Sequence, residues 1–284
     1  MSLLALDIND AAISVQSEST VVYREPGFAL LEEGGLTTGN EAYANARIKP
    51  RRIHTRYWST LSTDSLPDDR FRHLSAADLV SRQLEQLWKI AGQHGDQLVV
   101  IVPHYMQAPQ LGLFLGICNE LSIPVAALVD AAVAATRRQY VDATPVHVDL
   151  SLHTALMTRI GQEGQAQLQK SELVDDAGLS NLYDVWIRTL AEAFVQQSRF
   201  DPLHTADTEQ MLLDRLPGWL ANASAGGSIS VSVEYRGIEH KAEIEALSLV
   251  SAAAPVYQKI VGQLRTQCRA DETPAIQVSD RAAS

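Results

Sequence analysis

Basic residues are scarce in this chain: 23 Lys plus Arg stand against 34 Asp plus Glu, a formal net charge of −11 at pH 7. Surfaces that bind DNA or RNA draw on clustered cations, so nucleic acid is not expected as a partner. Long apolar runs are missing too. Leu98 to Val102 is among the longest, far below the roughly 20 residues of a membrane-spanning helix, and no membrane partner is expected. Cysteine is limited to Cys118 and Cys268, far apart and inside apolar helical patterns, a setting that predicts buried reduced thiols rather than a disulfide framework. The start, Met1 to Asp7, reaches an acid at once and has neither a basic segment nor a small-residue cleavage site. It does not read as a secretory signal, and a cytoplasmic location is expected. Also absent are a G-x-x-x-x-G-K-[ST] phosphate loop, a G-x-G-x-x-G dinucleotide turn, a G-x-S-x-G nucleophile elbow and an H-E-x-x-H pair. The eight histidines are scattered, without the short regular spacing of zinc sites.

What is present is a globular composition, 46% hydrophobic and 20% charged over 284 residues, which suits two domains or one large α/β fold. Leu3 to Gln16 is β-rich and alternates. Thr20 to Tyr23 and Phe28 to Leu31 add short apolar runs around Pro26-Gly27, together predicting an antiparallel meander. Ser75 with Asp78 makes a capping box, and Ala77, Val80, Leu84, Leu87 and Ala91 share one helical face, predicting a helix of about 20 residues that ends near Gly92 or Gly95. Leu98 to Val102 reads as a central strand buried on both faces. Pro109 opens a helix, Ile123 to Val129 forms a strand, and an alanine-rich helix runs from Asp130 to about Tyr140. Strand, helix, strand, helix implies an α/β architecture.

A second unit begins near Pro145. Val146 to Leu150 and Thr154 to Ile160 read as paired strands, and Gln165 to Leu173 as a third. Helices are predicted through Leu182 to Phe194, Thr208 to Ala221 and Val256 to Cys268, with a connection over Arg199 to Thr208. Ala225-Gly226-Gly227 forms a turn before a strand at Ile229 to Tyr235, and Ala275 to Val278 is the last strand. Trp58, Trp88, Trp186 and Trp219 sit in apolar patterns and are expected in the core or at lobe contacts rather than stacked on a ligand. The one basic cluster, Arg47 to Arg52, could meet phosphate or an acidic partner, with a solvated loop as the default expectation.

Three carboxylates end strands: Asp7, Asp130 and Asp149. Ligands of open α/β sheets gather outside the carboxyl ends of strands, so three such acids can converge on one cleft and hold a hydrated Mg²⁺ or orient a water. The same acids also serve as helix caps and turn formers. His147, two residues before Asp149, shares its strand face.

The order of these pieces carries a resemblance. Leu4 to Val15, with Asp7, Asn9 and Asp10 at its turn, resembles the first phosphate motif of the actin, sugar-kinase and heat-shock ATPase superfamily. Thr38-Gly39-Asn40-Glu41-Ala42 with Asn45-Ala46, Val100 to Tyr105, and Leu128 to Ala135 are similar to segments of the seventy-kilodalton heat-shock chaperones in the same order. Val146 to Thr154 looks like their second phosphate strand and hairpin, and Ile276 to Arg281 stands in place of their adenosine segment. The resemblance implies a two-lobed actin-like ATPase fold, ribonuclease H-like in each lobe, with mixed sheets flanked by helices. Lobe I would span residues 1–142 and lobe II residues 143–284, without the family's closing C-terminal helix.

It further implies ATP or ADP with Mg²⁺ as cofactor. Asp7 and Asp149 would hold the metal through water, and Asp130 would stand where the family aligns the attacking water. Asn9, Asp10, Ser151, His153, Thr154, Ser279, Asp280 and Arg281 would line the nucleotide. The family's γ-phosphate lysine has no assignable counterpart among Lys49, Arg51, Arg52 and Arg56. Phosphate hairpins need glycine because backbone N–H groups must approach the anion closely. Here Asn9-Asp10, Ser151-Leu152-His153 and Ser279-Asp280 replace those glycines. Two functions follow from the resemblance. One is a heat-shock-ATPase-like domain with weak or lost Mg-ATP binding and at most slow hydrolysis, acting by lobe closure on a protein partner. The other is a nucleotide-free scaffold that works through a protein partner or self-association. They diverge on whether the turn at Ser151 to Thr154 presents N–H groups to phosphate.

Overall fold

The computed structural model describes residues 2–223 and 226–279. The chain opens with β1 (Leu3–Asp7), β2 (Ile13–Ser17) and β3 (Thr20–Glu25), paired as an antiparallel meander. A small sheet follows, formed by β4 (Ala29–Glu32), β5 (Gly35–Thr38) and, after the short helix α1 (Asn40–Tyr43), β6 (Ile53–His54). Helix α2 (Ala76–Ala91), strand β7 (Gln97–Val102), helix α3 (Ala108–Glu120), strand β8 (Val125–Asp130) and helix α4 (Ala131–Ala135) complete the N-terminal half. Its main sheet has the order β3-β2-β1-β7-β8, with β7 parallel to both β1 and β8.

The C-terminal half repeats the plan. Strands β9 (Thr144–Leu150), β10 (Thr154–Gly161) and β11 (Gln167–Asp175) form a second meander. Helices α5 (Leu179–Ser198) and α6 (Ala206–Ala223), the hairpin β12 (Ser228–Tyr235) and β13 (Ile238–Glu245), and helix α7 (Ala246–Arg265) lead to β14 (Pro274–Val278). β14 lies parallel to β9, giving the order β11-β10-β9-β14. The protein is therefore α/β, with mixed sheets flanked by helices. Among the described residues no helix is long and apolar enough to cross a membrane.

Local chemistry explains most of these elements. At the start of α2, Ser75 Oγ accepts the Asp78 N–H and Asp78 accepts the Ser75 N–H at 2.7 Å, so the capping box satisfies donors that a helix start leaves open. Its inner face, Leu79, Val80, Leu84, Leu87 and Ala91, packs into one core with Leu4, Leu6, Leu98, Val100 and Phe114. A second core joins β9 and β10 to α5, α6, α7 and the β12–β13 hairpin. Trp58 and Trp186 are buried, and Trp88 and Trp219 pack against the cores. Both cysteines are free thiols, Cys118 buried and Cys268 half-buried.

Four expectations change. Helix α2 has 16 residues. Strand β7 is central but not buried on both faces: Leu98, Val100 and Val102 are in the core while Val99 and Ile101 are half-exposed. The reason is that the second face carries Asp7, Ser14 and Gln16 and borders a polar groove closed by the five-residue α4 and by residues of β9 and β14. Helix α4 stops at Ala135 because Thr136 leaves the helical region and turns its hydroxyl back to Ala132 O and across to Gln277 of β14. Strand β13 has no counterpart in the sequence reading; its Glu239, His240, Lys241, Glu243 and Glu245 hide the two buried positions, Ala242 and Ile244. The turn before it, Arg236-Gly237, has positive φ at both residues (52° and 76°), the geometry of a tight two-residue hairpin. The turn expected at Ala225-Gly226-Gly227 begins outside the described residues.

Candidate functional site

The ends of β1 and β9 meet, and the turns that follow them interlock. Asn9 Oδ1 accepts the Ala11 N–H at 2.9 Å, an Asx turn that fixes the amide. Its two N–H donors then face β9, one to Asp149 Oδ2 at 2.8 Å and one to Leu150 O at 3.0 Å. Asp10 is 1% exposed, and its Oδ1 accepts the Leu152 N–H at 2.7 Å. A buried carboxylate is tolerable only with such charge-assisted bonds. The Asp10 carbonyl accepts the Gly27 N–H at 2.7 Å, which ties this turn to the β3–β4 connection.

The second turn, Ser151 to Thr154, is closed by bonds between its first and last residues. Ser151 N–H and Oγ both reach Thr154 O, at 2.9 and 3.0 Å, and the two hydroxyls lie 2.7 Å apart. The carbonyls of Ser151 and Leu152 accept the Leu179 and Ser180 N–H groups, using donors that the start of α5 would leave open. A Cβ on Gly178 would lie 2.5 Å from the backbone nitrogens of His153 and Thr154, so only glycine lets α5 begin against this turn. The Leu152 side chain, 4% exposed, is inserted among Phe28, Leu30 and Ala42 of the N-terminal half.

His153 Nε2 and Thr55 Oγ1 share a 2.8 Å hydrogen bond between the halves. Burial, helped by the nearby Arg56 guanidinium, lowers the His153 pKa to about 4. The imidazole thus stays neutral in the fold while an unfolded chain takes up the proton near the ordinary value of about 6.5. This contribution is complete above about pH 6.5 and lost as the pH falls toward 4. Melting temperature is expected to drop over that window, and His153→Gln to drop less; equal slopes in both proteins would remove His153 as the cause.

The strand-end acids divide. Asp7 and Asp149 line one polar groove of about 390 Å³, together with His147, Gln277 and Ser279. Ser279 reaches it because its N–H donates to Val148 O at 3.1 Å. Asp130 does not line that groove. One of its oxygens caps α4, accepting from Ala132 and Val133 N–H at 2.9 and 3.3 Å, and the other lies 3.2 Å from His104 Nδ1. Asp280 and Arg281 lie outside the described residues. Among the described residues no three His, Cys, Asp or Glu side chains form a group that would hold a metal ion.

A second bridge joins the halves beyond the turns. Gln210 of α6 accepts the Arg47 N–H at 2.8 Å and donates to Tyr43 O at 3.0 Å, and Tyr43 Oη donates to Leu213 O. Arg47 pairs with Asp184 and Glu209, while Lys49 and Arg52 pair with Glu32. Three of the four cations expected in a solvated loop are therefore committed to ion pairs.

Leu152, Thr55, Tyr43 and Gln210 were not singled out from sequence as site residues; Leu152 stood out only as a bulky departure from glycine. Two N–H groups of the turn already have acceptors: that of Leu152 donates to an internal carboxylate, and that of Ser151 is spent within its own turn. No family model matches the chain, and no curated protein matches it.

Proposed function

We propose that the chain is an actin-like ATPase fold whose lobes, residues 1–142 and 143–284, are latched together without nucleotide, and that it serves as a scaffold or interaction module for a protein partner. The repeated sheet plan supports the two-lobed reading. One observation carries the functional one: the Asp10 carboxylate sits 2.7 Å from the Leu152 N–H, where a nucleotide-binding relative would offer that N–H to phosphate. An incoming phosphate would face this buried negative charge and would have to break its hydrogen bond. Asn9 adds a second tie by occupying Asp149 Oδ2.

Isothermal titration with ATP and ADP, with and without Mg²⁺, tests the reading. No binding is expected at millimolar nucleotide, and micromolar Mg²⁺-dependent binding would overturn it. One observation favours the other reading, a domain with weak Mg-ATP binding and at most slow hydrolysis: Asp7 and Asp149 still share a groove. If it holds, the same titration finds binding that Asp7→Ala and Asp149→Ala abolish.

A further inference from the structure

Between the turn latch and the Tyr43–Arg47–Gln210 bridge the two halves leave a cavity of about 500 Å³. The space is a cleft that opens to solvent beside the exposed Arg24, Asn40, Pro50 and Pro217, with walls anchored on both sides. The volume falls in the roughly 300–1,000 Å³ range of small-molecule sites. We infer that it binds a small aromatic carboxylate, held by both halves at once.

The walls specify the body of this ligand. Phe28, Tyr43 and Ile53 come from the N-terminal half, and Leu152, Tyr183 and Leu213 from the C-terminal half. Phe28 and Tyr43 meet edge to face, with ring centroids 5.1 Å apart, and planar rings pack favourably against such surfaces. Burial raises the pKa of Tyr43 and Tyr183, so both hydroxyls remain neutral.

The charged groups specify its head. Arg47 is neutralised by Asp184 and Glu209, and Glu25 accepts hydrogen bonds from Tyr23 and Asn40. Arg24, exposed at the rim between this cleft and the Asp7–Asp149 groove, has no hydrogen-bond or ion-pair partner among the described residues and is the cation open to a ligand's head. One cation matches one carboxylate. A triphosphate would place several negative charges beside Glu25 and Asp184, which also line the space. The inference rests on the cleft and on Arg24, which also borders the Asp7–Asp149 groove, so its test includes Mg-ATP.

Fluorescence titration with 1-anilinonaphthalene-8-sulfonate, an aromatic monoanion, tests it. One saturable site per chain is expected, displaced by 2-naphthoate and much less by neutral 2-naphthylmethanol. Arg24→Gln, a surface change, is expected to weaken binding roughly three- to fivefold, the worth of an exposed ion pair. Ala46→Trp, which fills the cavity, is expected to abolish it. Undiminished binding by folded Ala46→Trp, or failure of naphthoate to compete, would overturn the inference. If Ala46→Trp does not fold by circular dichroism, Arg24→Gln and the naphthoate competition decide. Calorimetric binding of Mg-ATP without displacement of the probe would sink only the nucleotide-free reading; displacement of the probe by Mg-ATP would sink both.

Discussion

Leu152→Ala is expected to cost about 2–4 kcal/mol of stability, the range for truncating a buried leucine where the surroundings collapse only in part. The side chain crosses from one half into the Phe28, Leu30 and Ala42 cluster of the other, so the loss falls on the junction rather than on either main core. Asp10→Ala acts on the same junction differently. It leaves the Leu152 N–H buried without its acceptor, and hydrogen bonds to charged groups contribute about 1.5–3 kcal/mol. Urea unfolding measures both, and native-state hydrogen exchange separates a latch from ordinary core. Amides at 8–12 and 150–154 should exchange faster in both variants while those of β7 keep their protection. Losses under about 1 kcal/mol with unchanged exchange would mean that the halves are held elsewhere.

Gln83→Leu is also expected to destabilise, although it swaps a polar side chain for an apolar one of similar size. Gln83 is fully buried; its Oε1 accepts from Tyr57 Oη at 2.6 Å and Trp58 Nε1 at 2.8 Å, and its Nε2 donates to Pro26 O at 3.1 Å. Leucine would leave Trp58 Nε1 without an acceptor in the core, whereas Tyr57 Oη keeps Phe28 O at 3.3 Å and Pro26 O keeps the Phe28 N–H at 2.9 Å, so a loss of about 1–3 kcal/mol is expected in urea unfolding. The effect should also reach the latch, because Pro26 precedes Gly27, whose N–H holds the Asp10 carbonyl. A loss below about 1 kcal/mol would show that water can replace the amide.

Elements with a local signature were legible in the sequence. The Ser75–Asp78 capping box and the apolar spacing of α2 are contained within one segment, as are the β-branched run of β7 and the meanders at either half's start. Strand β13 was not legible because alternation between charged residues and only two buried ones gives little apolar signal. The candidate site was half legible. Asn9, Asp10 and Leu152 stood out as departures from glycine-rich hairpins, but what they do depends on partners about 140 residues away, and no pattern within a window records that. That Arg47 ties the halves together was hidden for the same reason, since the acids that bind it come from α5 and α6.

The interlocked turns also bear on the order in which the molecule is assembled. Residues 9 and 10 are fixed by residues 149 to 152, a separation that makes these contacts late ones on any route to the native state. During synthesis the N-terminal sheet can form and bury Leu4, Leu6 and Val100 on its own, yet Phe28, Leu30 and Ala42 await a leucine that the ribosome has not yet released. The first half therefore passes through a stage with a sticky apolar patch beside an acidic turn, and the arrival of a single residue, Leu152, closes both.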